Sequence, residues 1–244
     1  MEFATIEKLK TLSDQAQERL IEAIVRGALK PGMRIPEATL ARQLGISRGP
    51  LREAVRRLEG RGLLVRVPHV GVSVANPSTS ELIDIFAIRQ SLEGLACRQA
   101  VERMTGEELD ELERLLDAHE ESTELKKGEA YYQGAGDYDF HYKIVQGSRN
   151  ARLWDMFADE LYHFIRIFRY RSSVTPGRAR QAFDEHRAIV AAMRRRDADE
   201  AERLMRVHTG HALNALKTAQ QPSPAAEGIS DHRPDRQRMN FGME

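Results

Sequence analysis

The 244 residues, 41% of them hydrophobic, suffice for one or two domains with a substantial core. Formal net charge is zero, which alone speaks against a nucleic-acid partner, yet residues 1–76 carry 13 Lys/Arg against 8 Asp/Glu, a net of +5 balanced by −5 in the remainder. A basic module joined to an acidic one steers a polyanion toward one end of the molecule. The single cysteine, Cys97, lies in an apolar helical pattern and leaves no disulfide framework or thiolate metal cluster. No run approaches the roughly 18 apolar residues of a membrane span. The N-terminus also lacks the compact apolar segment of a signal peptide, so a cytoplasmic protein without a membrane partner is expected.

In chain order, Leu12, Ala16, Leu20, Ile24 and Ala28 recur at helical spacing, which predicts a helix over 12–28, ended by Gly27 and Pro31-Gly32. A second helix starts at Pro36 and runs through Leu44, burying Leu40 and Leu44. Gly45 gives the turn, and Ser47 caps a third helix whose inner stripe is Leu51, Val55 and Leu58. Pro50 is tolerated in its first turn, where a missing amide hydrogen costs nothing. Leu63–Val67 and Val70–Val74, around Pro68-His69, read as a two-stranded wing. Residues 76–80 form a linker. Helical patterns follow at about 81–103, 107–127, 130–147, 151–170, 178–195 and 198–218, with Thr105 and Glu108 as a capping box. The fold class is thus α+β but mostly α. A DNA-binding winged helix–turn–helix over 1–76 precedes an all-α antiparallel bundle over 80–218, and a polar tail follows over 219–244.

Two helices, a tight turn and a basic hairpin make a surface for the DNA major groove. Ser47, Arg48 and Arg52 occupy the outward side of the third helix, where the arginine fork suits base edges or phosphates. A solvated amphipathic helix with ordinary i,i+4 pairs would read similarly. The segments PGMRIPE, LARQLGISRGPLREAVRRLEGRGLL and PHVGVSV, however, resemble the winged helix–turn–helix of the GntR family of bacterial transcription regulators. The resemblance implies operator contacts from Ser47, Arg48 and Arg52, with a wing around His69 and Gly71 approaching the minor groove; Arg34 and Arg66 are further expected DNA-contacting residues. Two positions depart from the pattern: Val70 replaces a basic residue often found before the wing glycine, and Ala38 stands where some members carry an arginine.

In the helical part, Asp137 and His141 lie four residues apart, a spacing that on a helix puts both on one face. His186 and His208 sit on two later helices. Three imidazoles and a carboxylate from three helices would suit one divalent transition metal per subunit, Zn, Ni or Mn. A lone histidine at a helical position is more often a surface or satisfied core residue, and spacing alone leaves both readings open. On a helix Asp139 would point about 200° away from Asp137. His211 and His163 are further residues that could approach the same cavity.

The motifs AIRQSLEGLACRQA, DYDFH, GSRN, FDEHRAIVAAMRRRDADEA and MRVH resemble the all-helical effector (FCD-type) domain of the FadR subfamily, in its metal-containing branch. That resemblance places Asp137, His141, His186 and His208 on the metal ligands and Arg89 where relatives help hold an acidic effector. It implies a homodimeric DNA-binding regulator, a repressor, whose affinity for operator double-stranded DNA responds to a small carboxylate at the metal, and no enzyme. Two other readings remain at this stage: a metal-dependent hydrolase or lyase fused to a DNA-binding module, and a regulator with a purely structural metal.

Overall fold

The computed structural model describes residues 10–69 and 71–220; the tail expected at 219–244 lies outside the described residues from 221 onward, as does Val70 in the wing. Helices α1 (Leu12–Val25), α2 (Glu37–Gln43) and α3 (Arg48–Gly60) precede an antiparallel ribbon of β1 (Leu64–Val67) and β2 (Gly71–Val74). The ribbon pairs Leu64 with Val74 and Val67 with Gly71, and Arg34 bridges to Ser73 on its outer edge. Leu51, Ala54, Val55 and Leu58 of α3 are fully buried, so its charged residues are confined to the opposite face. Gly45 holds the left-handed backbone (φ +66°) that the turn between α2 and α3 requires.

After the linker come α4 (Thr79–Arg103), α5 (Gly106–Glu120), α6 (Thr123–Lys126), α7 (Phe140–Gly147), α8 (Ala151–Asp155), α9 (Tyr162–Ser173), α10 (Arg178–Arg194) and α11 (Ala198–Gln220). The expected boundaries mostly hold, because the apolar periodicity and the caps agree. Thr11, Ser78 and Thr105 each open a helix with a reciprocal cap to an acidic residue three positions on. Ser47 precedes α3 in extended backbone, although its hydroxyl makes no cap bond. No described helix is long and apolar enough to cross a membrane.

Three expected helices differ. The 107–127 pattern breaks at Glu121 and Ser122, where Ser122 caps a separate short helix, so it forms α5 and α6. The 130–147 pattern is helical only from Phe140, because Gly128 (φ +69°) and Gly136 (φ +60°) take left-handed backbone, leaving a loop and a 3-10 turn at Gly136–Tyr138. Gly134 packs where a Cβ would come within 2.6 Å of Tyr138, so this loop depends on its glycines. Within 151–170, Met156–Leu161 widens into a π-helical stretch between α8 and α9, a local departure common near functional sites.

α4 lies along α11, and α10 packs on α5 and α11, around a core that includes Cys97, Leu112, Phe140, Ile144, Phe157, Phe183, Met193 and Met205. A second core joins the N-terminal helices and ribbon to the bundle. Leu20, Ile24, Leu51 and Leu58 cluster with Leu82 and Phe86 of α4, Ile167 and Phe168 of α9, and Ala212 and Leu216 of α11.

Candidate functional site

At the N-terminal end, Arg34, Ser47, Arg48, Arg52, Arg66 and His69 are all exposed, and Gly71 is half-buried. Arg52 and Arg66 share Glu37 as an ionic partner (3.5 and 3.7 Å), and Arg66 also meets Glu59 at 2.9 Å. Glu37 therefore tethers the third helix and the wing on one surface. At the wing tip His69 has φ +62° and Gly71 φ +107°, with the Arg34 guanidinium lying where a Cβ on Gly71 would be 3.4 Å from its Nε. The positive φ at Gly71 is what calls for glycine, since a Cβ there would meet Arg34 only at ordinary contact distance.

In the bundle, α7, α10 and α11 each bury one histidine, and the ring nitrogens of His141, His186 and His208 meet. His186 Nε2 lies 3.2 Å from His141 Nε2 and 3.2 Å from His208 Nε2. The outer side of each ring is already engaged. His141 Nδ1 is 2.7 Å from Glu93 Oε2, His208 Nδ1 is 2.7 Å from Glu185 Oε2, and His186 Nδ1 is 3.1 Å from the Tyr131 hydroxyl. Tyr131 in turn meets His119 Nδ1 at 3.0 Å.

Electrostatics fixes the tautomers. Burial would raise the Glu93 carboxyl, but Arg89 and His141 outweigh it and hold it well below the usual carboxylate range. Burial likewise opposes ionisation of Glu185, yet its bond to His208, with Arg178 beside it, brings it down to about 2. Ionised carboxylates only accept, so Nδ1 of His141 and of His208 donates and each Nε2 presents a lone pair inward. Burial also keeps the imidazoles neutral: His208 is lowered to about 3, and His186 is pushed well below its ordinary value by burial and then by its two histidine neighbours. With His186 donating from Nδ1 to Tyr131, three lone pairs face one another with no proton between them.

That arrangement fits a metal. Tetrahedral zinc with Zn–N bonds of about 2.0–2.1 Å spaces its nitrogens about 3.3 Å apart, and carboxylates on the far nitrogen are how proteins orient ligating histidines.

The fourth expected ligand is not brought there. Asp137 sits in the 3-10 turn with its side chain 74% exposed, near Lys143 Nζ at 3.7 Å. The expectation assumed a helix through 137–141, and the glycine-dependent loop removes it. The same change buries Asp139, which stays outside the histidine cluster. Its extended backbone buries the carboxylate, which caps α7 by accepting from the His141 and Tyr142 amides and forms an ion pair with Arg169, Nη1 to Oδ1 at 2.8 Å.

Arg89 is also displaced from its expected role. It is fully buried behind the cluster, donates to Glu93 (Nε–Oε1 2.9 Å), and does not line the cavity beside the histidines. That cavity presents Arg169 and Arg178 with Gln133, Ser172 and Ser173. His211 turns outward to Glu185 Oε1 at 2.6 Å, and His163 lies apart from the cluster.

Sequence reasoning missed Glu93, Glu185, Tyr131, Arg169 and Arg178. A signal for Glu93 existed. In α4 the buried positions 82, 86, 89, 93, 97 and 100 advance by threes and fours, and Arg89 and Glu93 are the charges on that apolar stripe. The stripe of α11 runs through Ala201, Met205, His208, Ala212 and Leu216 in the same way.

Residues 12–74 match the bacterial regulatory proteins of the gntR family, and residues 84–211 match the FCD domain. The chain belongs to the GntR family. This GntR regulator is 32% identical over 212 residues to an uncharacterized HTH-type transcriptional regulator of Bacillus subtilis, covering 83% of this chain and 90% of the relative. It is 31% identical over 208 residues to a probable D-xylose utilization operon transcriptional repressor of Paenarthrobacter nicotinovorans, covering 84% and 88%. Escherichia coli McbR superposes with a TM-score of 0.71 at 24% identity, covering 87% of this chain and all of that one, which supports the fold. The GntR regulator is accordingly a DNA-binding transcription regulator and not an enzyme.

Proposed function

We propose that the chain is a cytoplasmic, homodimeric repressor in which residues 1–76 read operator DNA and residues 80–218 sense a small carboxylate at a divalent transition metal. The observation that carries the sensor reading is the convergence of His141, His186 and His208 Nε2, with every outer nitrogen already hydrogen-bonded. Those three histidines would hold Zn, Ni or Mn. When bound, the ion supplies positive charge and open coordination positions for carboxylate oxygens. Arg169 and Arg178 line the adjoining cavity; each is paired with a carboxylate, Asp139 and Glu185 respectively, and contributes guanidinium donors beside the ion, not uncompensated charge. The assignment of operator contacts to Arg34, Ser47, Arg48, Arg52, Arg66, His69 and Gly71 draws support from their common exposure. A two-fold dimer follows from the need to read two half-sites about one helical turn apart. Repression is favoured by the relatives that bear that name.

Elemental analysis of the wild type, His186→Ala and His208→Ala tests the metal, beside release of operator DNA by a library of small acids. The proposal expects one ion per wild-type subunit, none in either variant, and an acid response only where the ion is kept. Full metal content in both variants would refute it. Light scattering tests the dimer: a monomer binding a half-site at full affinity would remove it.

A further inference from the structure

A second, narrow pocket lies where α9 meets the DNA-binding end, and it shares Tyr131, Gln133 and Arg169 with the histidine cavity. Its walls include Val25 of α1, Arg166 and Tyr170 of α9, and Tyr131, whose hydroxyl bonds His186 of the histidine cluster. One α-helix thus places two arginines, three residues apart, in the wall of this pocket.

Arg166 is the unusual member. Its side chain is only 2% exposed, and one nitrogen, Nη2, reaches Glu22 Oε1 of α1 at 2.8 Å. Its Nε and Nη1 are buried without any hydrogen-bond partner. A guanidinium is a fork built to take two parallel bonds from one oxyanion, and leaving such donors buried and unpaired is costly. Half of this fork is in use, and the unused half borders a cavity.

Charge balance decides what the cavity takes and what must give way. Arg169 is already paired with Asp139, whose carboxylate is fully buried and held by two backbone amides of α7. Arg166 is paired with Glu22, whose side chain is 34% exposed and can return to water. An incoming anion would therefore replace Glu22, not Asp139, on its arginine.

We infer that the junction between α1 and α9 is a second effector site, which binds a small carboxylate on the Arg166 guanidinium in exchange for Glu22 and so releases α1 from the bundle. Glu22 also accepts from the Tyr132 hydroxyl, and Arg26 one turn on lies over the Tyr132 ring at 3.8 Å, so this exchange undoes the polar half of the seam. The apolar half, Ile167 and Phe168 against Leu20 and Ile24, remains as the hinge. The inference rests on the chain being a DNA-binding regulator and not on a metal at the histidines.

The test is calorimetric titration of the chelator-treated full-length protein with succinate, and separately with inorganic phosphate, together with hydrogen exchange across residues 12–25. Succinate is expected to bind and to speed exchange in α1. Glu22→Gln, which removes the competing charge and keeps a hydrogen-bonding side chain, should bind succinate about tenfold more tightly. Arg166→Gln should abolish binding, and Arg166→Lys, with charge but no fork, should weaken it. Binding retained in His208→Ala supports the junction. Binding lost in His208→Ala, equal affinity in wild type and Glu22→Gln, or no succinate binding to either would overturn the inference. Phosphate bound more tightly than succinate would also overturn the carboxylate assignment. Metal content of the untreated protein is read separately, so an absent ion counts against the sensor proposal alone.

Discussion

Replacing Glu93 with alanine separates two functions that one carboxylate combines. Glu93 is 1% exposed and bonds both the fully buried Arg89 and His141 Nδ1, at 2.9 and 2.7 Å. Removing one partner of a buried ion pair costs about 3–5 kcal/mol. In a chain of this size each kcal/mol moves the midpoint by about 2–4 °C, so the metal-free variant should melt roughly 6–20 °C lower. The affinity for zinc should fall about 10–100-fold, because His141 loses the acceptor that sets its tautomer and ring angle. The double variant Arg89→Leu/Glu93→Leu removes both charges and should recover most of the thermal loss while metal affinity stays low. Differential scanning calorimetry with chelator and a competition titration with zinc measure the two effects. A melting point for Glu93→Ala within about 2 °C of wild type, or unchanged zinc affinity, would refute the linkage of Arg89 to His141 through this carboxylate.

Alanine at Arg48 or Arg52 should cost roughly 1–3 kcal/mol of operator discrimination at fixed salt and leave the melting point of the bundle unchanged; equal operator affinity in both variants would put the wrong helix in the groove. Asp137→Asn should retain a full complement of metal, since that carboxylate is exposed, and metal loss measured by elemental analysis would contradict its placement. His163 is lowered to about 4 by burial, then by Arg166 and Arg61. The unfolded chain therefore binds a proton near pH 6.5 that the folded chain refuses, and stability falls as pH drops from about 6.5 toward 4, by about 3 kcal/mol at the extreme. His163→Gln should flatten that part of the acid-side decline in urea midpoints, and an identical pH profile would refute this contribution.

The DNA-binding end was legible because each of its elements is announced locally: Ser47 before α3, Gly45 at the turn, and alternating valines in the wing. The three histidines were legible because each falls on a buried helical stripe, together with the resemblance that grouped them. Asp137 failed for a backbone reason. Helical periodicity continues through 130–147 in the residues, but Gly128 and Gly136 adopt positive φ, and the loop they make exposes Asp137 and buries Asp139 as the cap of α7. Arg169 and Arg178 were invisible because their importance lies in a cavity assembled from α7, α9, α10 and α11. No spacing within one helix encodes that. Arg89 was misplaced by a single layer. It lies on the correct helix, yet its fork is spent on Glu93.

The mixed core that joins α1 and α3 to α4, α9 and α11 also bears on ancestry and on engineering. Leu82, Phe86, Ile167, Phe168, Ala212 and Leu216 belong by sequence position to the sensory half, yet they complete the interior of the reading half. A head transplanted onto a foreign body would meet a surface whose knobs and hollows were shaped for another tenant, and would expose leucines of α1 and α3 to water. Recombination between such proteins is therefore free at the linker of residues 75–78 only when the seam is exchanged along with it. The crossover point in the gene and the boundary in the folded protein are different places.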